Sequence, residues 1–408
     1  MRKLDRNKIL HLFCGCAVLV FLGFQPGLLA TFSASAHIIL SLFLMTILVI
    51  VYHYRIFHGD ITWFLPSYFL VSLYFGALLI GHSIIEPDTF FKSLNLFLIS
   101  QIGLLYIFVV TNSFGVKYIL KTIVYIMFFL GMSYSVYWIS KFLGFSSALF
   151  VKKFQIPGYD GLQSFYFPFS IFYQQKYYLF GLDIPRAIGV FREPGVYQAF
   201  AASSILMLDF VGFTRKKKFV FSVVIGVGFL SSLSTAAIVT MASLAAYFMF
   251  RLASGRGFKY KAIAVIFGVL ACGIIFFLGT LNSVGIVSKL EGKSGQVRYL
   301  SIVKALEYGT KHPLFGTGLN TDKRVMEKGW GVPNFIASIG ATGVVAFLLY
   351  AIFLFYVTIK SFKSKSLQII LPFIITMLTS QPIFYSISVI GLCILPFEKI
   401  SSRDAFIW

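Results

Sequence analysis

Acidic side chains are scarce in this chain, with 14 Asp and Glu among 408 residues against 35 Lys and Arg. All but Asp209, which lies near one end of an apolar stretch, fall in loops or at the ends of such stretches. Carriers driven by cations usually hold carboxylates near the bilayer midplane, so the shortage weighs against that class. No Asp-x-Asp pair occurs that could hold a divalent metal on a nucleotide-sugar diphosphate. A Walker loop, a Gly-rich dinucleotide fingerprint, an HExxH zinc motif and a GxSxG serine elbow are missing as well. Enzymes that use nucleotide-activated donors are thereby disfavoured, and neither a metal nor a cofactor is expected. The few cysteines, Cys14, Cys16, Cys272 and Cys393, sit in apolar stretches without paired metal-type spacing and read as packing residues. Internal repeats, low-complexity linkers and a soluble domain at either end are absent from the pattern.

What the chain has in abundance is apolar surface. It is 58% hydrophobic and 18% aromatic with only 12% charged residues, where a soluble domain would carry about 25% charged. A membrane span needs about 20 mostly apolar residues. On that rule spans are expected near 9–31, 35–54, 62–82, 93–111, 119–140, 194–212, 219–233, 235–250, 262–280, 333–358, 367–381 and 383–397. The fold class is therefore an all-α polytopic membrane protein of about twelve helices, a single integral domain over 1–408 with two large outer loops at 141–193 and 281–332. The small residues of "TFSASAH" resemble a cleavage site, but the preceding apolar core exceeds the usual 7 to 15 residues. It is read as an uncleaved first span.

Short cytoplasmic loops retain Lys and Arg. With the N-terminus inside, twenty of the 35 basic residues fall in short inner segments such as "RKKK" (Arg215 to Lys218), and almost all the rest lie in the two long outer loops. The net charge of +21 carries no nucleic-acid motif. Its inner share fits topology and contact with anionic lipid.

The outer loops hold the polar chemistry. In the first, Phe165, Tyr166, Phe167, Phe169, Phe172, Tyr173, Tyr177, Tyr178 and Phe180 are expected to form an aromatic face on a segment at the membrane surface; Tyr173 and Tyr177 could also stack against sugars. The second is expected to carry an amphipathic helix with Val297, Leu300, Val303 and Leu306 on one period, ended near Gly309, before an irregular turn at Pro313, Gly316 and Gly318. Outward-facing cations remain: Arg186, Arg192, Arg298 and His312, with Lys304 beside them. Arginine forks bind phosphate oxygens bidentately and keep their charge, so such a set can neutralise a departing pyrophosphate, as a metal does elsewhere. Arg186 and Arg192 equally fit snorkelling residues at a span end. Glu193 in a first helical turn fits either a favourable contact with the helix dipole or a general base, and His312 can titrate near neutral pH.

"RAIGVFREPGVYQAF" resembles the Arg-x-x-Gly-x-Phe-x-(Glu/Asp)-Pro start of a central span in the O-antigen polymerase and ligase superfamily, and "KHPLFGTGLN" resembles its His-Pro-Leu-x-Gly-x-Gly segment. The resemblance implies a metal-independent GT-C type membrane glycosyltransferase of the bacterial inner membrane, with its active site facing the periplasm. Undecaprenyl-diphosphate-linked sugars would be donor and acceptor. It would place Arg186, Arg192 and Arg298 on the diphosphate and make Glu193 and His312 candidates for activating or orienting the acceptor. Ligases of the superfamily carry His-Asn where the second loop re-enters the membrane; this chain has Pro333 and Asn334, which favours polymerase and leaves Asn334 as a substrate-binding candidate. A ligase acting on lipid A core and a lipid-linked oligosaccharide flippase are the alternatives. The residues leave open whether a chain-length regulator binds and which sugars are joined.

Overall fold

A computed structural model describes residues 3–24, 32–85, 87–156, 162–179, 182–232, 237, 240, 293–316, 335–364, 366–379 and 386–397. Its helices are α1 (Lys3–Gly23), α2 (Ala34–Phe57), α3 (Leu65–Ile85), α4 (Phe90–Phe114), α5 (Val116–Phe142), α6 (Pro194–Met207), α7 (Arg215–Ser231), α8 (Lys293–Lys311), α9 (Ser338–Lys363), α10 (Leu367–Thr379) and α11 (Ile387–Ile394). Five of them, α2, α3, α4, α5 and α9, are long and apolar enough to cross a membrane. The chain is a helical membrane protein. All the described helices except α8 coincide with predicted spans. The expected spans at 235–250 and 262–280 lie outside the described residues apart from Ala237 and Thr240.

The helices alternate in direction, and the alternation sorts the charge. Arg55 at the end of α2 donates to the Ser113 carbonyl at the end of α4. Lys360, near the end of α9, donates to the Trp63 carbonyl just before α3. Lys117 and Lys121 open α5, and Arg215 to Lys218 open α7. These cations mark one end of the bundle, called here the lysine end.

The opposite end carries a feature absent from the all-α expectation. Residues of the first outer loop form a four-stranded antiparallel meander, β1 (Phe150–Gln155), β2 (Leu162–Tyr166), β3 (Ser170–Leu179) and β4 (Leu182–Ala187), in the order β1-β2-β3-β4. Pairing of Tyr166 with Ser170 leaves a three-residue turn, 167–169, between β2 and β3. Runs of aromatic residues fit a pleated surface, and Pro168 lies in the turn, where no ladder bond is asked of it.

Successive strand residues face opposite sides of a sheet, and this splits the aromatic set that the sequence suggested would share one face. Phe172 is buried against α5, its ring 4.3 Å from that of Tyr137 and 5.2 Å from that of Tyr134. Ile171 and Tyr173 join Ile156, Ile188 and Phe154 in a second, separate cluster. Phe167 and Phe169 stay exposed at the turn. Phe180 lies outside the described residues.

Candidate functional site

The short α6 is deeply buried, with nearly every residue from Pro194 to Met207 inside the protein. At a rise of about 1.5 Å per residue its 14 residues span about 21 Å, well short of the roughly 30 Å hydrocarbon core. Irregular backbone precedes it over residues 188–193. Such backbone is tolerated in a membrane only where protein or a watery cavity surrounds it.

Side chains of α5 supply those surroundings. The Tyr134 hydroxyl donates to the Ile171 carbonyl in β3 at 2.8 Å and accepts from the Gly189 N–H at 2.7 Å. One phenol thus ties the sheet to the turn that leads into α6. Ser133 Oγ accepts from the Phe169 N–H at 2.9 Å and sits 2.8 Å from Ser170 Oγ, fixing the tip of the β2–β3 turn against the same helix. Gly189, at φ +58°, lies against Tyr197 and Leu130, where a Cβ would press into the Tyr197 ring. Behind the turn, the rings of Phe191 and Phe200 stack at 4.5 Å and Phe200 meets Phe373 of α10 at 4.9 Å. Ser203 Oγ donates to the Ile369 carbonyl at 2.7 Å, which docks α6 on α10.

On this scaffold the structure places Arg186, Arg192 and Glu193 together around the start of α6. Arg186 pairs with Tyr173 across β3 and β4, its guanidinium 5.9 Å from the Tyr173 ring, and its Nε donates to the Ser232 carbonyl just beyond α7 at 3.5 Å. Both partners hold the half-buried side chain against the protein. Arg192 and Glu193 are half-buried in the turn. Glu193 is the N-cap of α6 with extended backbone (φ −136°, ψ 145°), and its carbonyl, not its side chain, receives the first helical N–H groups, from Val196 and Tyr197 at 3.2 Å. The carboxylate makes no capping hydrogen bond. Pro194 at the first helical position contributes a preset φ and lacks the N–H that would go unpaired there. A helix N-terminus favours anions, and two arginines beside it reinforce that preference.

The second motif is built differently. Helix α8 packs on α9 through small residues: Ala305 is fully buried and a Cβ on Gly340 would collide with its carbonyl. Leu300, Val303 and Leu306, the expected apolar stripe, remain exposed. After α8, the Pro313 carbonyl accepts from the Val344 N–H at 2.8 Å and the Leu314 carbonyl from the Val345 N–H at 3.3 Å. These two donors follow a break in α9 at Gly343, whose φ of +74° is left-handed. Gly316, at φ +69°, lies against the Ala341 carbonyl and the Gly343 N–H. The Pro-Leu-Phe-Gly stretch therefore serves as an external cap for a broken membrane helix.

His312 is exposed at this turn and Lys304 is half-buried on α8. Arg298 falls in the second turn of α8. These three sit on the element that packs on α9, whereas Arg186, Arg192 and Glu193 belong to the block formed by the sheet, α5, α6 and α7. Tyr177 pairs in register with Ile184 in the sheet, and Asn334 lies outside the described residues. The sequence reading missed Tyr134, Ser133 and Ser232; the first two stand in "GMSYSVYW", a cluster of hydroxyl groups inside an otherwise apolar span that could have drawn attention to them.

Comparison of the chain with protein-family models, with curated proteins and with solved structures finds no match.

Proposed function

We propose that this chain is a metal-independent glycosyltransferase of the O-antigen polymerase kind, with about twelve spans in all and the GT-C type of architecture. It transfers a growing glycan from undecaprenyl diphosphate to a new lipid-linked repeat unit at the periplasmic face of the bacterial inner membrane. The observation that carries this reading is the turn that gathers the half-buried Arg186, Arg192 and Glu193 around the start of α6, held in place by Tyr134 and Ser133. A lipid-linked diphosphate presents its charge at this depth, and the order Arg-x-x-Gly-x-Phe-x-Glu-Pro along the turn resembles that of the superfamily. A flippase would instead line a path along the spans with charge, whereas the cations of the five candidate spans lie at or near their ends.

In the reaction, a hydroxyl of the acceptor's terminal sugar attacks the anomeric carbon of the donor glycan while the bond from that carbon to the diphosphate oxygen breaks. Charge grows on the diphosphate as it departs. Arg186 and Arg192 take up that charge from fixed positions that need no rearrangement during the reaction, the condition under which such stabilisation is largest. Glu193 accepts the proton of the attacking hydroxyl. Arg298, Lys304 and His312, at the same end of the bundle, orient the acceptor, and Tyr173 packs the Arg186 guanidinium.

The test is complementation of a deletion in the native host, read as the lipopolysaccharide ladder. The wild-type gene restores the ladder. The Arg186→Ala/Arg192→Ala variant leaves a single rung, core plus one repeat unit, at unchanged protein level. A normal ladder from that variant overturns the reading, and bare core without any repeat in the deletion strain assigns the chain to ligation or flipping.

A further inference from the structure

A groove of about 610 Å³ runs between α1 and α5 and reaches Val190 of the arginine turn at its far end; what it binds is independent of the glycosyl-transfer reading. His11 and Lys121 stand at its lysine end, Gly15 and Leu19 along its wall, and Phe129 and Phe169 at its far end. From Lys121 to Phe129 the rise along α5 is about 12 Å, close to the half-thickness of a roughly 30 Å hydrocarbon core. The groove thus matches one leaflet in depth. It reaches the backbone of α1, since a Cβ added to Gly15 would meet nothing within 4 Å.

The two ends differ in charge. Near the lysine end, Lys217 donates to the Tyr125 hydroxyl at 2.7 Å, with its ammonium 4.5 Å from the centre of the Phe213 ring. Lys121 faces the same Phe213 ring at 5.9 Å. The neighbouring acid, Asp209, is engaged by Lys218 at 3.3 Å, so the rim is left with a net positive charge. At the other end Phe169 closes an apolar tip against Phe129, their rings 5.5 Å apart. An occupant complementary to this pattern has an anionic head at the lysine end and an apolar chain about one leaflet long.

We infer that the groove is a binding site for an anionic glycerophospholipid, with one acyl chain between α1 and α5 and the phosphate held by Lys121 together with His11 and Lys217. Because Phe169 belongs to the turn fixed by Ser133, the tip of the chain supports the sheet that carries Arg186.

The test uses the full-length protein purified in detergent, with phosphatidylglycerol or phosphatidylcholine added, read by native mass spectrometry and thermal melting. Phosphatidylglycerol is retained and raises the melting temperature, while phosphatidylcholine does neither. Lys121→Gln weakens retention about fivefold, the value of one lysine near a charged lipid surface. Gly15→Leu, which fills space already open, abolishes retention without lowering the melting temperature of the lipid-free protein. Equal retention of both lipids, or phosphatidylglycerol binding unchanged in both variants, means annular lipid only and overturns the assignment. A co-purified polyisoprenyl phosphate lost on Gly15→Leu but kept on Lys121→Gln also overturns it, by giving the groove to a chain whose head lies at the other end.

Discussion

The sheet side and the α8 side of the molecule both rest on a short Gly- and Pro-containing motif ahead of a buried helix, yet they use it in opposite ways. Ahead of α6, the backbone is held by borrowed hydroxyl groups from α5, and the motif's own Arg186, Arg192 and Glu193 are half-buried around the turn. Ahead of α9, the motif's backbone is the holding device: the Pro313 and Leu314 carbonyls satisfy N–H groups freed by the break at Gly343. Two stretches that read alike as sequence thus divide the work. One carries charge, and the other satisfies the N–H groups of a broken helix.

The comparison is broken most severely at the glycines. Gly343→Ala forces a side chain into a left-handed conformation, at about 1 to 2 kcal/mol, and drives its Cβ into the Leu314 carbonyl. With the further cost of overpacking, about 1 to 3 kcal/mol, the variant is expected to lose most of its folded population, as read by fluorescence-detected size exclusion. A stable variant that merely lost activity would show that the second motif is not a cap. On the sheet side the equivalent blow is Tyr134→Phe. Removal of one hydroxyl leaves the Gly189 N–H without this acceptor, while the Ile171 carbonyl keeps the Ile188 N–H at 3.0 Å, at a cost of about 2 kcal/mol. Thermal melting should record that loss, and the lipopolysaccharide ladder should shorten because the arginine turn is no longer held.

How far the sequence foretold these arrangements depends on what carried each signal. Apolar length alone located the described spans, because a helix must satisfy its backbone over the whole bilayer. The sheet escaped that reading although its marks were present. "FYFPFSIFY" is a pair of aromatic runs around a proline, a pattern of strand, turn and strand; it was read for its affinity for the interface instead, which masks alternation when both faces are apolar. The cations of the first motif were found as chemistry, since Arg and Glu are conspicuous in an apolar chain. Their support was not, because Tyr134 and Ser133 contact the turn only in three dimensions. At the second motif His312 drew attention as a titratable group, while the role of Gly316 depends on a helix break nearly thirty residues later, which no local pattern announces.

Smaller effects sharpen the division of labour. Arg186→Lys keeps the charge and gives up the fork that can hold two phosphate oxygens. Packing on Tyr173 survives in part, so the melting temperature should stay within the range of an ordinary surface change, about 0.5 kcal/mol. Turnover on lipid-linked repeat units should nevertheless fall about tenfold, a fraction of what loss of a whole oxyanion donor costs. A variant equal to wild type in both respects would reduce Arg186 to a packing residue.

His312→Ala asks whether the second motif has any chemical duty at all. The backbone bond from the Gly316 N–H to the His312 carbonyl, 2.9 Å, does not involve the ring, and the side chain is exposed. Folding should therefore be unaffected, within about 0.5 kcal/mol by thermal melting. If the ring orients the acceptor, turnover falls while the donor diphosphate still binds, and the loss stays below that of Arg186→Ala. If turnover is unchanged, the His-Pro-Leu-Phe-Gly stretch acts only as the cap of α9, and the whole burden of catalysis moves to the turn ahead of α6.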